Sequence, residues 1–422
     1  MDDDGNVVVA LTDTTKKTDV LAVAHTELND KIGNAGGTIR YVEVSRPFSQ
    51  LLNWKEGLTS QFYSLGVVTF LDIDQANNKL LVGVVNSAAV TTAKNLARTN
   101  GIPDDGIRVV VVGRAYPDRS TAEPYPGESQ SDDHTLRERF PQTLGGIMVR
   151  HGETDEDRCT LWLGVTMSGN QRYVTSSHCD VDGFADLDTT TPLYQSTTNA
   201  ADRLGYEIAD PTRTCTVGGG PGAAADCRWA DVALFGKNTD DDRFVRGWIA
   251  TTVGINTNDE TDDPFPVTAY RHKHAGGDSL YVVRYEGGEV DGQYLFKVGQ
   301  FGGRSHGRVQ HDCVDIYGWP NSQTNYAIRC QNVANYPRYG GDSGAPIFHG
   351  SNEKLFGAHV GRIGDAGTSS EDDLEGLVFY SPIANIEEDL GAMNTEGDEH
   401  LAWAVPIHVH RAVADEDGDE PR

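Results

Sequence analysis

Short β-branched runs alternate with helically spaced apolar positions through the first 113 residues. Asn6–Leu11 (NVVVAL), bounded by Gly5 and Asp13, predicts a strand. Thr14–Asp30 then places Val20, Leu21, Ala24 and Leu28 at helical spacing. A second strand is expected over Arg40–Val44 and a second helix over Pro47–Phe62. GVVTFLDID and KLLVGVV predict a hairpin that turns at Asn77–Asn78, followed by a helix over Ala88–Thr99 and a strand over Ile107–Val112. Together these make two small α/β lobes in a first domain, residues 1–113.

The pattern then breaks. Residues 114–143 are rich in Pro, Ser and charge and poor in apolar side chains, which reads as an exposed linker. From Leu144 the chain becomes a succession of short strands divided by Gly, Asn and Asp turns, the texture of an all-β barrel or sandwich over 144–395. Residues 396–422 form a C-terminal extension. Its HLAWAVPIHVH stretch fits a last strand or a surface clasp, and DEDGDEPR is too charged to pack.

Charge narrows the partners. The chain has 422 residues and a formal net charge of −28, from 63 acidic and 35 basic residues. A nucleic-acid surface needs the opposite surplus, so no nucleic-acid partner is expected. Arg outnumbers Lys, and an acidic, Arg-rich surface suits either a high-salt environment or ordinary solubility. No run of about 18 apolar residues occurs, so no membrane span is expected. The opening MDDDGNVVVA is acidic where a secretory signal is basic and then apolar, so a signal is either already removed or not used.

Six cysteines, Cys159, Cys179, Cys215, Cys227, Cys313 and Cys330, fall into three locally spaced couples. Many pairings are possible, but short loops close most readily, favouring Cys159–Cys179, Cys215–Cys227 and Cys313–Cys330. Such bonds imply an oxidising, extracellular compartment. No C-x-x-C pair or Cys/His cluster has metal spacing, so neither a metal nor a cofactor is expected.

The most specific signal is Gly341-Asp342-Ser343-Gly344-Ala345-Pro346. A serine hydroxyl attacks a carbonyl only when a base removes its proton. The oxyanion that forms needs N–H donors converging on one point. Glycines around Ser343 allow the tight backbone that presents the N–H groups of Gly341 and Ser343 together. Two other segments supply partners. YVTSSHC ends an apolar strand at His178, and WADVALF sets Asp231 at the head of a buried strand. Asp231 could then hold the tautomer of His178, and His178 could serve Ser343 as base.

GDSGAPIF, RCTLWLGV, YVTSSHC and ADVALF together resemble the chymotrypsin/trypsin superfamily of serine proteases. They are most similar to its bacterial streptogrisin and α-lytic protease branch. The likeness spans roughly residues 144–392 and ends on VFYSPIANIEEDLG, which is similar to the fold's closing strand and C-terminal helix. Ser176-Ser177 before His178 and Ala345 after Ser343 depart from the usual pattern, but remove no catalytic group. The resemblance implies a double six-stranded barrel with a C-terminal helix, a catalytic triad of His178, Asp231 and Ser343, and polypeptide substrates.

GNVVVALTD, YVEVS and the segment from FLDIDQ to IRVVV resemble, less specifically, the pro-region of that branch. A pro-region would make the chain a zymogen whose N-terminal domain is folding aid and inhibitor; the alternative is a permanent accessory domain. A cut in the linker would free a protease beginning near Thr143 or Leu144. Pro337 occupies the place of the acidic pocket residue of trypsin-like members, which argues against Lys or Arg before the cut. His359 resembles the pocket histidine of glutamate-specific members, and with Arg338 and Arg362 it points to acidic or small residues there. The competing reading makes His359 a buried structural residue and the arginines surface groups. Two rivals remain: a non-catalytic binding protein on the same scaffold, and a serine esterase built on Gly303-Arg304-Ser305-His306-Gly307. The esterase motif needs a helix after its serine, whereas RVQHDCVDIY reads as a strand.

Overall fold

The computed structural model describes residues 7–18, 39–117, 134–137, 139–140, 142–152, 158–179, 188–211, 215–217, 225–250, 252, 255–256, 271–272, 281–287, 292–319, 326–349, 354–364 and 377–397. The C-terminal extension beyond 397 and most of the predicted Thr14–Asp30 helix lie outside this set. Of that helix a 3-10 turn at Thr14–Lys16 is described, capped by Asp13, whose carboxylate accepts from the Thr15 N–H at 2.9 Å.

In the N-terminal domain, strands β1 (Val7–Leu11) and β2 (Ile39–Glu43) pair in parallel. Helix α1 (Phe48–Ser64) follows, then β3 (Val68–Asp74), β4 (Lys79–Val84), helix α2 (Ser87–Thr99) and β5 (Ile107–Val111). The β3–β4 hairpin turns through Asn78 at φ 54°, a left-handed conformation that Asn tolerates. The Asn86 side chain caps α2 by accepting from the Ala89 N–H. Ala89, Ala93 and Ala97, one face of α2, and Leu58 and Phe62 of α1 pack on the sheet β3–β4–β5.

The next strands close a ring: β6 (Met148–His151), β7 (Arg158–Thr160), β8 (Leu163–Met167), β9 (Asn170–Thr175), β10 (Pro192–Gln195), β11 (Arg203–Ala209) and β12 (Ala233–Lys237). The sheet order is β7-β6-β10-β11-β12-β9-β8. Its two ends, β7 and β8, are separated only by Leu161 and Trp162, which themselves bond to Ile147 and Val174. They are halves of one bent strand, so this is a closed barrel of six strands.

A second ring follows: β13 (Tyr294–Gly299), β14 (Gly303–Trp319), β15 (Tyr326–Ala334), β16 (Pro346–His349), β17 (Lys354–Ile363) and β18 (Val378–Pro382). Neighbours pair in the order β13-β14-β15-β18-β17-β16, and β16 returns to β13. Pro382 then opens helix α3 (Ile383–Leu390), which Gly391 ends at φ 91°. The chain thus builds a double six-stranded barrel with a C-terminal helix. The barrels share one apolar core, where Val149, Leu161 and Phe235 meet Phe348, Leu355 and Ala358. Fully buried Trp162 also donates from its indole N–H to the Gly357 carbonyl of the other barrel at 2.7 Å.

The segment read as an exposed linker is partly built in. Ala115–Pro117 pairs antiparallel with β17, Ala115↔Ile363, Tyr116↔Arg362 and Pro117↔Gly361. Leu136 and Phe140 belong to the barrel core. Thr143 and Leu144 are buried and lie in the strand Thr143–Gly145, where Thr143 donates to the Arg243 carbonyl at 2.8 Å. A cut there would sever packed backbone, and three apolar side chains among many polar ones gave too weak a pattern to show it.

The N-terminal sheet joins the second barrel edge to edge, Leu71↔Asp315 and Phe70↔Ile316. Disulfides Cys159–Cys179 and Cys313–Cys330 are present. Cys227 is also disulfide-bonded and stands opposite Cys215 in the register.

Candidate active site

The barrels meet where three loops converge. β9 ends at Thr175 and delivers His178 on a short 3-10 turn that the Cys159–Cys179 disulfide ties back to β7. Asp231 sits just before β12, in the same barrel. Ser343 lies on the loop between β15 and β16 of the other barrel.

The His178 Nδ1 bonds to Asp231 Oδ2, and its Nε2 lies 2.7 Å from Ser343 Oγ. The Asp231 carboxylate also accepts from the backbone N–H of His178 at 3.1 Å, which fixes carboxylate and ring together. All three residues are buried, Asp231 and Ser343 completely. In so dry a setting a proton moving from Ser343 to His178 creates an imidazolium whose counter-charge is already in place.

The loop that carries Ser343 is held by several partners. The Gly341 carbonyl accepts from Thr160 Oγ1 at 2.9 Å and from the Gln300 side chain at 3.1 Å. Asp342 turns inward to Lys297, both fully buried, and accepts from the backbone N–H groups of Phe301 and Gly302 at 3.0 Å. Gly341 and Gly344 adopt φ 93° and 85°, which only glycine takes without strain. Among the described residues the N–H groups of Gly341 and Ser343 have no partner. Two such donors beside a buried serine hydroxyl are able to bind a developing oxyanion.

The residues expected to shape specificity have different bonding partners. His359 is fully buried and bonds through Nδ1 to the hydroxyl of Tyr336 at 2.9 Å. Its carbonyl accepts from Gly344 N–H, so it also braces the loop that carries Ser343. The Pro337 carbonyl accepts from Lys297 and from Ser305. Arg338 is half-buried. Arg362 places its guanidinium over the ring of Tyr116, 5.5 Å from the centroid. Ser305, the esterase candidate, is fully buried within strand β14, with no helix after it. Lys297, Gln300, Tyr336 and the group Asp210–Arg228 were not singled out by sequence. The only available signal was a charged residue inside an apolar strand, such as Lys297 in YLFKVG.

No known family profile and no curated protein matches this chain. Solved structures do. One described as a glutamic acid specific serine protease using a histidine triad in substrate binding has 18% identity and a TM-score of 0.37, over 60% of this chain and 100% of that one. Protease A of Thermobifida fusca has 14% identity and a TM-score of 0.36, over 60% and 98%. An α-lytic protease homologue has 14% identity and a TM-score of 0.38, over 60% and 100%. At these scores they carry no part of the functional reading, which rests on the site itself. The chain is similar in structure to bacterial chymotrypsin-like serine proteases.

Proposed function

We propose that the protein is a secreted serine endopeptidase, made as a zymogen. The observation that carries the reading is His178 held between Asp231 and Ser343 in a buried site beside two unspent N–H groups. His178 takes the Ser343 proton as Ser343 Oγ attacks the scissile carbonyl. The N–H groups of Gly341 and Ser343 bind the oxyanion, and Asp231 stabilises the imidazolium. His178 then protonates the leaving amine, and water repeats the sequence to release the acyl group. A fluorophosphonate probe should label Ser343, and Ser343→Ala should abolish both labelling and casein hydrolysis. Undiminished labelling of that variant would remove Ser343 from the role, and a wild type inert to probe and casein would favour the binding-protein reading.

The zymogen part is supported by the strand Ala115–Pro117. It lies along β17 beside Val360, whose carbonyl faces Ser343 Oγ at 3.3 Å. A substrate strand would need that same edge, so the N-terminal domain acts as inhibitor as well as docking partner. Because Thr143 is strand-paired, we favour a processing cut between Pro117 and His134 over one beside Thr143 or Leu144. Intact-mass spectrometry should place it there, and the Ser343→Ala chain should stay whole. Export is supported by the disulfides.

For specificity, the absence of an acidic residue at Pro337 supports cleavage after residues other than Lys or Arg, acidic or small ones being preferred. The buried His359–Tyr336 pair supports a positioning role for His359 as much as a direct one. A positional-scanning peptide library decides, and strong cleavage after Lys or Arg would end this part of the reading.

A further inference from the structure

Behind the His178–Asp231 pair lies a second buried charge cluster. Arg228, three residues before Asp231, is completely buried. Its Nη2 donates to the carbonyl of Val232, the residue after Asp231, at 2.8 Å. Its Nη1 donates to Ser177 Oγ at 3.0 Å and to Asp210 Oδ1 at 2.9 Å. Ser177, the residue before His178, gives its own proton to the Asp210 carboxylate, at 2.7 and 2.9 Å. From helix α3, Asp389 lies 4.0 Å from Arg228 Nε and accepts the backbone N–H groups of Trp229 and Ala230 at 3.0 and 2.7 Å.

One guanidinium therefore ties the side chain of the residue just before His178 to the backbone just after Asp231. The fork of Arg suits this bridging, which the point charge of Lys does not reproduce. The charge matters too. A bare cation so close would oppose formation of the His178 imidazolium, and Asp210 and Asp389 offset it. Among the described residues, the charged groups bonded around the His178 turn include Asp231 on the ring, Arg228 and Asp210 through Ser177, and Asp389 behind Arg228.

We propose that Arg228 and Asp210 are positioning residues of the active site: together, through Ser177, they set the geometry of the His178–Asp231 pair and balance the charge around it. This rests on the protease reading. The test is the rate of fluorophosphonate inactivation of the full chain as a function of pH, whose acid limb reports protonation of the catalytic base. Asp210→Asn leaves Arg228 less compensated and should move the acid limb down by about one pH unit. Arg228→Gln should move it up by about the same. Arg228→Lys keeps the charge and loses the fork, so the limb should stay while the plateau rate falls. A merely structural role would lower the melting temperature and move neither limb, and that result overturns the proposal. Ser177→Ala, which changes no charge, covers the case in which the charge variants fail to fold. Its plateau should fall about tenfold with the limb in place, and a wild-type plateau overturns the proposal. A wild type that never reacts at Ser343 sinks the protease reading instead, which is a distinct result.

Discussion

Lys297 reaches from strand β13 to the Asp342 carboxylate, and neither side chain is exposed. The pair holds the residue next to Ser343 inward, with the N–H groups of Phe301, Gly302 and Tyr339 completing its hydrogen bonds. Lys297→Met would leave Asp342 as an unmatched buried charge, a change that costs about 3–5 kcal/mol. The variant should melt well below wild type and lose probe reactivity wherever it is still folded. An unchanged melt with full labelling would show that Asp342 is held by its backbone donors alone.

Gly344→Ala tests the other side of the loop. A Cβ there would lie 2.2 Å from the Thr160 carbonyl oxygen and 2.6 Å from Thr175 Oγ1, at a φ of 85°. Strain of this kind costs about 1–3 kcal/mol even before the clash. The expected result is lower stability and at least tenfold slower labelling, read by thermal melting and by probe kinetics.

Tyr116→Ala tests the proposed inhibitory role of the strand Ala115–Pro117. Removing the ring over Arg362 weakens the hold of Ala115–Pro117 on β17, so labelling of the uncut chain should quicken by a few-fold, in line with a cation–π contact of about 1 kcal/mol. An unchanged rate would mean that the strand does not limit access to Ser343.

Docking of the N-terminal sheet should depend on pH. Burial first, and then the negative charge of Asp72, push the Asp312 carboxyl above the ordinary carboxylate range. The docked state therefore holds more protons than the separated one. Docking is strongest below the ordinary range and weakens as pH rises to the raised value. Protection of the β3 amides, taken relative to their intrinsic exchange rates, should fall over that window, and Asp312→Asn should flatten the dependence.

The segments that bring His178, Asp231 and Ser343 together could be read from the sequence because each follows or precedes an apolar strand whose period fixes its direction. The hairpin at Asn78 and the helix begun by Asn86 were legible for the same local reason. What stayed hidden depends on partners far away in the chain. Arg228 is buried because Asp210, Ser177 and Asp389 meet it, and no local pattern marks such a meeting. Ala115–Pro117 has too few residues to show a period, and its pairing is decided by the free edge of β17. Arg362, expected near the pocket, faces Tyr116 for that reason.

If the chain is the zymogen proposed above, release of its N-terminal domain has to part β3 from β14. Each strand supplies the other's outer row of hydrogen bonds, so their separation bares two open sheet edges at once, one on each fragment. Bare edges invite any strand that can add to them. Tyr63 and Tyr317, which meet edge to face at 5.4 Å across this contact, would be uncovered in the same step. On that reading, maturation would create two self-adhesive surfaces, and the separated N-terminal piece could pair with another copy through its bare β3 edge.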